Sequence, residues 1–117
     1  MSLSENNIKD FIRQKLCSRS DVRVFRNNLG MAKTDDGGAV KYGLCNPGGS
    51  DLIGWKKIQV TPEMVGRTLA VFTAIEVKRP GNGPSDHQKN FIEQVQLAGG
   101  FAGIAHSDIE AIKIVDK

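Results

Sequence analysis

Cysteine and long apolar runs are scarce in this chain of 117 residues. Its two cysteines, Cys17 and Cys45, lie far apart and form no Cys-x-x-Cys pair, so we expect reduced, structural thiols. No apolar run approaches the roughly 20 residues of a membrane span, and the polar N-terminus lacks the apolar core of a signal peptide. The sequence therefore predicts a cytosolic protein with no membrane partner.

Several common catalytic motifs are also missing. No Ser-His-Asp or Cys-His arrangement is evident, and His87 and His106 are isolated histidines, which disfavours a zinc site. The glycine-rich segments at 47–49 and 81–83 are not followed by Gly-Lys-Ser or Gly-Lys-Thr, so a nucleotide-binding P-loop is disfavoured. Ordinary turns are the better interpretation of both segments.

The charge balance is mildly basic, with 16 Lys and Arg against 13 Asp and Glu and a formal net charge of +3. This excess is compatible with a polyanionic partner but does not demonstrate one. Five basic residues crowd the N-terminal quarter, namely Lys9, Arg13, Arg19, Arg23 and Arg26. A scattered, solvated surface is the alternative interpretation. The length suits one domain that buries about two-thirds of its unfolded surface.

The apolar pattern predicts a mixed α/β fold. Helices are expected at 5–17, where Ser4 is the cap, at 85–98 and at 108–115. Strands are expected at 22–27, 52–55, 69–77 and 101–105, with a turn at 35–38 leading into 39–43. The strand–helix–strand from 69 to 105 fits a crossover between parallel strands. The predicted order is α-β-β-β-α-β-α, a small mixed sheet with helices on its faces.

Charged residues at the end of the strand at 69–77 are the most informative feature. Side chains alternate along a strand, so Glu76 and Lys78 should emerge on the same face. Apolar surroundings make such a pair costly unless the two charges serve each other or a cation. Asp51, which also enters an apolar stretch, would add a second carboxylate. This set predicts a divalent metal site with a lysine beside it, whereas a simple salt bridge is the alternative.

Two further residues have open interpretations. Glu5 lies on the apolar stripe of the first helix and should face the core or its rim, where it could add a third acidic group. Alternatively, it is an acid in the first turn that favours the helix dipole. Ser85 and Gln88 match the capping-box pattern at the start of the second helix.

The ordered set Glu5, Asp51, Glu76-Val77-Lys78 and Gln88 resembles the PD-(D/E)XK nuclease superfamily. Within that superfamily, four segments look like the VRR-NUC family: Gly-Gly-Ser-Asp-Leu-Ile at 48–53, Ile-Glu-Val-Lys-Arg-Pro at 75–80, Ser-Asp-His-Gln-Lys-Asn-Phe at 85–91, and Ala-Gly-Gly at 98–100. The resemblance covers nearly the whole chain. One departure is that Asp51 follows Ser rather than Pro, and this departure is common.

The resemblance implies one nuclease domain over residues 1–117 with a restriction-endonuclease-like core. In it, Asp51, Glu76 and the backbone carbonyl of Val77 would bind Mg²⁺ or Mn²⁺. Lys78 would orient or help deprotonate the attacking water and screen charge on the scissile phosphate. Glu5 would contribute through a water on the metal. Gln88 would contact phosphate or Lys78, or serve only as the helix cap.

The resemblance also implies a substrate and a partner. Small stand-alone members of viral or bacterial type are similar to Holliday-junction resolvases, so we expect a metal-dependent endonuclease of DNA, possessing two sites in a homodimer and acting on branched or four-way junctions. Such an enzyme would serve DNA repair or replication, in the host cytosol if the protein is viral. The basic cluster would hold the DNA arms, and the loop at 81–83 could line the DNA path. The alternative is a non-catalytic DNA- or protein-binding module on a degenerate nuclease fold.

Overall fold

The computed structural model describes residues 4–117, which fall into two compact units, Met1–Ile58 and Gln59–Lys117. These are referred to below as the first and second units. Among residues 4–117, no helix is both long and apolar enough to cross a membrane.

The first unit combines one helix with four strands. The helix begins after Ser4, whose hydroxyl accepts a hydrogen bond from the Asn7 amide at 3.1 Å, as predicted. The elements in chain order are α1 (Glu5–Cys17), β1 (Val22–Arg26), β2 (Gly30–Lys33), β3 (Ala39–Tyr42) and β4 (Leu52–Lys56).

The four strands of the first unit form two antiparallel pairs. β1 pairs with β4, and Arg26 lies opposite Leu52 at the end of the ladder. β2 pairs with β3 as a hairpin, whose turn is closed by a 3.0 Å hydrogen bond from the Thr34 amide to the Gly38 carbonyl. The α1 helix contacts β1. Because β1 and β4 pair antiparallel, the segment just before β4, which carries Asp51, lies beside the end of β1.

The second unit is built around a parallel strand pair. Its elements in chain order are a 3₁₀ turn (Pro62–Met64), β5 (Thr73–Val77), α2 (Asp86–Leu97), β6 (Phe101–Ala105) and α3 (Asp108–Val115). β5 and β6 pair in parallel, with Glu76 opposite Ile104. Among the described residues, the buried apolar side chains all lie in α2, β6 and α3, namely Val95, Ala102, Ala105 and Ile114. These residues form the core on which α2, β6 and α3 pack, and β6 in turn pairs with β5.

The predicted α/β class is confirmed, as are the three helices and the parallel crossover. The predicted order α-β-β-β-α-β-α is wrong, because five strands rather than three precede α2. The expectation of one mixed sheet is also wrong, since the described strands form three two-stranded sheets. The turn at 35–38 and the segment that follows it were predicted, but β2 was missed, because β2 is exposed at nearly every position and burial leaves no mark on its sequence.

The strand expected at 69–77 starts later and is less buried than predicted. β5 begins at Thr73, which lies opposite Phe101, the first residue of β6. Just before Phe101 the chain leaves α2, which Gly99 terminates with a φ of +96°. Residues 69–71 therefore have no β6 residues to pair with. Within β5 only alternate residues are partly buried, and Val77 is 73% exposed. One face of the strand, rather than both, is covered.

Candidate active site

Glu76 and Lys78 lie on the same face of the second unit, as predicted. Residues 72, 74, 76 and 78 are partly buried and the residues between them are exposed, which is the period-2 pattern of a strand with one covered face. The Lys78 Nζ lies 3.8 Å from the Glu76 Oε1, and the two side chains are 25% and 33% exposed. The charges are therefore paired, yet both remain within reach of solvent.

Gln88 connects the start of α2 to Glu76. The Ser85 hydroxyl accepts a hydrogen bond from the Gln88 amide at 3.2 Å, and the Gln88 Oε1 accepts one from the Ser85 amide at 2.9 Å. This reciprocal pair is a complete capping box. The Gln88 Nε2 donates at the same time to the Glu76 Oε1 at 2.9 Å. Gln88 therefore serves as a helix cap and as a contact of the acidic residue.

Both contacts of Glu76 involve a single carboxylate oxygen. Lys78 and Gln88 each approach Oε1, and no hydrogen bond or ion pair within the described part of the second unit uses Oε2. Glu76 also borders a cavity of about 370 Å³, whose other lining residues are Ala74, Ile75, His87, Gln88, Phe91 and Ile92. The carboxylate is thus held through Oε1 and lies at the edge of the cavity.

The backbone after Lys78 is held in a defined loop. The Lys78 amide donates to the Ala105 carbonyl at 3.1 Å, which extends the β5–β6 ladder by one bond. A turn follows directly, because the Asn82 amide donates to the Arg79 carbonyl at 3.0 Å. Pro80 and Gly81 occupy its central positions, and the Gly81 φ of +87° is the conformation that a type II turn requires there.

His106 contacts the same loop from the end of β6. Its Nε2 lies 2.9 Å from the Asn82 carbonyl oxygen, and its Nδ1 lies 2.9 Å from the Glu110 Oε1. The His106 amide donates to the same Glu110 oxygen at 2.7 Å. The Asn82 carbonyl, followed by the Glu110 carboxylate, raises the pKa of His106 because both acceptors favour the doubly protonated ring. The His106 contacts correspondingly lower the pKa of Glu110.

Asp51 lies in the first unit, at the end of a loop that Asn27 organises. The Asn27 amide donates to the Asp51 carbonyl at 2.8 Å, and its Nδ2 donates to the Leu44 and Ser50 carbonyls, each at 3.0 Å. The Asp51 carboxylate is 59% exposed, and its Oδ1 lies 3.5 Å from the Lys9 Nζ of α1. Asn27 fixes the backbone at Asp51, whereas the carboxylate itself remains accessible.

Glu5 is in the first turn of α1, and its side chain is exposed rather than facing a core. It lies one helical turn before Lys9, the residue of α1 that reaches Asp51. Among the described residues Glu5 makes no ion pair. Its position favours stabilisation of the positive helix end. A contribution of Glu5 to a metal site stays a prediction.

The groups that could hold a metal are carboxylate and carbonyl oxygens. Glu76 and Val77 are adjacent in β5, and Asp51 is an accessible carboxylate of the first unit. Such oxygen ligands fit a hard divalent cation. Within either unit, no three His, Cys, Asp or Glu side chains of residues 4–117 cluster as a ligand set. Cys17 and Cys45 form no disulfide, in line with the expected reduced thiols, but both are exposed.

Three functional contacts were not predicted from the sequence. Lys9 was counted with the basic cluster, although its i+4 spacing from Glu5 placed it on the same helix face. Asn27 was treated as the end of a strand, because its partners in the 44–51 loop are distant in sequence. His106 was treated as isolated. The pattern Ser107-x-x-Glu110 after it signalled a helix cap, but nothing local signalled Asn82.

Comparison with known families identifies the class of this fold and site. The family model of the VRR-NUC domain matches residues 32–109, more than half of the chain, and the matched segment includes Asp51, Glu76, Lys78 and Gln88 but not Glu5. No curated protein and no solved structure matches the chain. The protein carries a nuclease-type domain and belongs to the VRR-NUC family. Membership of this family indicates DNA as the substrate.

Proposed function

We propose that this protein is a metal-dependent deoxyribonuclease that hydrolyses internal phosphodiester bonds. The observation that supports this most directly is the pairing of Glu76 and Lys78 on one face of β5, with Gln88 bonded to Glu76, inside the segment that matches the family. The sequence resemblance assigns phosphodiester hydrolysis to a carboxylate and a lysine at these two positions.

The proposed roles follow from the chemistry of each side chain. Lys78 presents an ammonium group that is only partly exposed, where it would screen the charge of the scissile phosphate and orient the attacking water. Gln88 would keep the Glu76 carboxylate in one orientation through its hydrogen bond to Oε1. The roles of Glu5, and of Gln88 toward phosphate, rest on the family resemblance.

We propose Asp51, Glu76 and the Val77 carbonyl as ligands of Mg²⁺, for which Mn²⁺ should substitute. When bound, the cation would neutralise charge on the phosphate and lower the pKa of the attacking water. Both carboxylates are exposed enough to accept a cation, since the Asp51 side chain is 59% exposed and Glu76 has Oε2 without a partner among the described residues of its unit. Lys9 would have to yield its place beside Asp51.

We propose that the preferred substrate is branched DNA. We further propose that the enzyme is a homodimer with two active sites and that it works in the cytosol. The support is the sequence resemblance to small stand-alone nucleases that are similar to junction resolvases, together with the exposed basic residues of the first unit. A symmetric dimer engages a four-way junction through both sites together, which adds avidity that linear DNA lacks. We also propose that residues 1–117 form one functional domain, because the family match at residues 32–109 includes parts of both units.

The experiment that tests the proposal is a cleavage assay on supercoiled, linear and four-way DNA. Wild-type protein should nick supercoiled DNA with Mg²⁺ or Mn²⁺, stop with excess EDTA, and bind without cutting in Ca²⁺. Asp51→Asn and Glu76→Gln should each lower the cleavage rate by about 10² or more and weaken Mg²⁺ binding measured by calorimetry. Undiminished cutting in excess chelator would rule out the mechanism.

A non-catalytic binding module is the alternative outcome of the same assay. It is favoured by the fact that Glu76 and Lys78 satisfy each other's charge, which a binding protein could use simply to remain folded. If the protein is such a module, wild type, Asp51→Asn and Glu76→Gln would bind DNA with equal affinity. None of them would nick any substrate in the presence of metal.

A further inference from the structure

We propose that His106 is a positioning residue for the nuclease reaction, which holds the Arg79–Asn82 turn and thereby fixes the backbone that carries Lys78. The inference rests on the proposed function, because holding the turn in place matters for the reaction only if Lys78 is catalytic. It uses only contacts inside the second unit.

The first step is that the turn has one anchor on each side. Before it, the Lys78 amide is bonded to the Ala105 carbonyl at 3.1 Å. After it, the Asn82 carbonyl faces the His106 Nε2 at 2.9 Å. Ala105 and His106 are consecutive residues, so the end of β6 holds both ends of the segment from 78 to 82. Without the His106 side chain, the segment would keep the Lys78–Ala105 hydrogen bond and lose the contact at Asn82.

The second step is that His106 is itself fixed. The Glu110 carboxylate accepts from the His106 amide at 2.7 Å and faces its Nδ1 at 2.9 Å. Glu110 belongs to the first turn of α3, whose cap Ser107 accepts from the Glu110 amide at 3.2 Å. The α3 helix in turn packs on β6 through the buried Ile114. The imidazole is therefore aimed at the turn by a helix that is anchored in the core.

The third step concerns charge. Among the described residues, Glu110 is the charged side chain that contacts His106, with Lys113 of α3 acting on Glu110, while the loop presents the neutral Asn82 carbonyl. Because both ring nitrogens face oxygen acceptors, each nitrogen must carry a proton for both bonds to form. Nothing in this arrangement requires His106 to touch DNA or to take a proton from the reaction.

The consequence is a specific effect on chemistry rather than on binding. Lys78 is proposed to orient water and phosphate, so the cleavage rate should fall steeply when its backbone shifts. A displacement of about 1 Å can lower a rate by about 10²-fold. Affinity for DNA is the sum of many phosphate contacts, so it should depend far less than the cleavage rate on the position of this one turn, even where residues 81–83 line the DNA path.

Three substitutions separate the two ring contacts. His106→Gln keeps a donor where the Nε2 lies and can still bond the Asn82 carbonyl. His106→Asn keeps a donor near the Nδ1 position, facing Glu110, but is too short to reach Asn82. His106→Ala removes both contacts. Each protein is compared by single-turnover cleavage at saturating four-way DNA in Mg²⁺, by DNA binding in Ca²⁺, and by amide hydrogen exchange over residues 78–84.

The expected result is that Gln retains the wild-type cleavage rate within a few-fold, whereas Asn and Ala lose about 10- to 100-fold in rate without losing DNA affinity. Exchange at 78–84 should accelerate in Asn and Ala and remain slow in Gln. Equal rates for all three variants, in a wild type that cuts, would overturn the inference and leave the nuclease intact. A wild type that never cuts would overturn the proposed function and the catalytic part of this inference together, while the exchange data would still report the anchor.

Discussion

Gln88 donates to Glu76 across 2.9 Å while it closes the capping box of α2. The helix-cap interpretation of this glutamine is therefore confirmed, and its second contact is with Glu76. A contact of Gln88 with phosphate or Lys78 stays a prediction. The Gln88 Oε1 accepts from the Ser85 amide at the start of α2, and the Gln88 Nε2 donates to Glu76, so Gln88 links the position of the helix to the orientation of the Glu76 carboxylate. Its two ends can be altered separately.

Gln88→Glu should impair cleavage while preserving the start of α2. Glutamate keeps an oxygen for the Ser85 amide but replaces the donor that faces Glu76 by a second negative oxygen. We expect a fall of about tenfold or more in cleavage rate at neutral pH, because like charges beside each other oppose the arrangement that a cation and phosphate require. Gln88→Ala is the comparison variant, because it loses the Glu76 contact and also the side-chain half of the capping box, while the Ser85 hydroxyl still accepts from the amide of residue 88. Wild-type cleavage by Gln88→Glu would show that the Glu76 contact is not used.

Lys78→Ala should abolish cleavage and leave the fold intact. The ion pair with Glu76 is partly exposed, so its loss should change the free energy of unfolding by no more than about 1 kcal/mol. The cleavage rate should fall by about 10² or more if Lys78 acts on water and phosphate. Lys89→Ala is the control for loss of positive charge alone, because Lys89 is exposed on α2 and makes no ion pair among the described residues. Thermal unfolding and cleavage are measured in parallel, and normal turnover by Lys78→Ala would disprove the assignment.

The salt dependence of DNA binding should distinguish two arginines of the basic cluster. Arg23 is exposed and makes no ion pair among the described residues, so Arg23→Gln should flatten the slope of log affinity against log salt by about one. Arg19 is bonded to both carboxylate oxygens of Asp21 at 2.9 and 2.7 Å and holds the pKa of Asp21 below its ordinary value. Its charge is already compensated, so Arg19→Gln should leave the slope nearly unchanged.

The same titrations, performed in Ca²⁺ with linear and four-way DNA, test the proposed substrate. The paired-site proposal expects tighter binding to the junction, since only a branch engages two sites together, and a dimeric mass by light scattering. A monomer with equal affinity for both DNAs would contradict the dimer and leave the metal-dependent nuclease standing.

Stability should vary with pH through His106 and Glu110. The pKa of His106 is raised from 6.5, so its contribution to stability is complete below that value and is lost as pH rises through the folded-state pKa. The pKa of Glu110 is lowered from 4.5, so its contribution is present above that value and is lost as pH falls through its folded-state pKa. The difference in Tm between wild type and His106→Gln should therefore be largest between these two pH values and shrink as pH rises through the folded-state pKa of His106. A pH-independent difference would show that the raised pKa does not contribute to stability.

The helices and the parallel crossover were predictable because their signals are local. Serine caps at positions 4, 85 and 107 and the glycine that ends α2 are read directly from neighbouring residues. The shared face of Glu76 and Lys78 follows from the period of a strand alone. These elements need no knowledge of what packs against them.

Strand β2, and the residues that hold the backbone near Asp51 and Lys78, could not be predicted for the opposite reason. β2 and β3 are stabilised by backbone hydrogen bonds between exposed residues, so burial leaves no trace in their sequence. Asn27 and His106 act on backbone carbonyls, and a carbonyl has no residue identity to recognise. Sequence reasoning can find two carboxylates and a lysine, but it cannot find the amide and imidazole that hold their backbones.

The parallel register of β5 and β6 determines when the triplet Glu76-Val77-Lys78 can become ordered in a growing chain. Antiparallel β2 finds β3 across a short turn, whereas Glu76 lies opposite Ile104 and must wait until α2 has been synthesised. Loop closure over that longer distance is slower and more costly in entropy. A nascent chain that ends at Gly100 would contain the complete triplet but none of the β6 residues that pair with it, so the triplet can become ordered only after β6 has been synthesised.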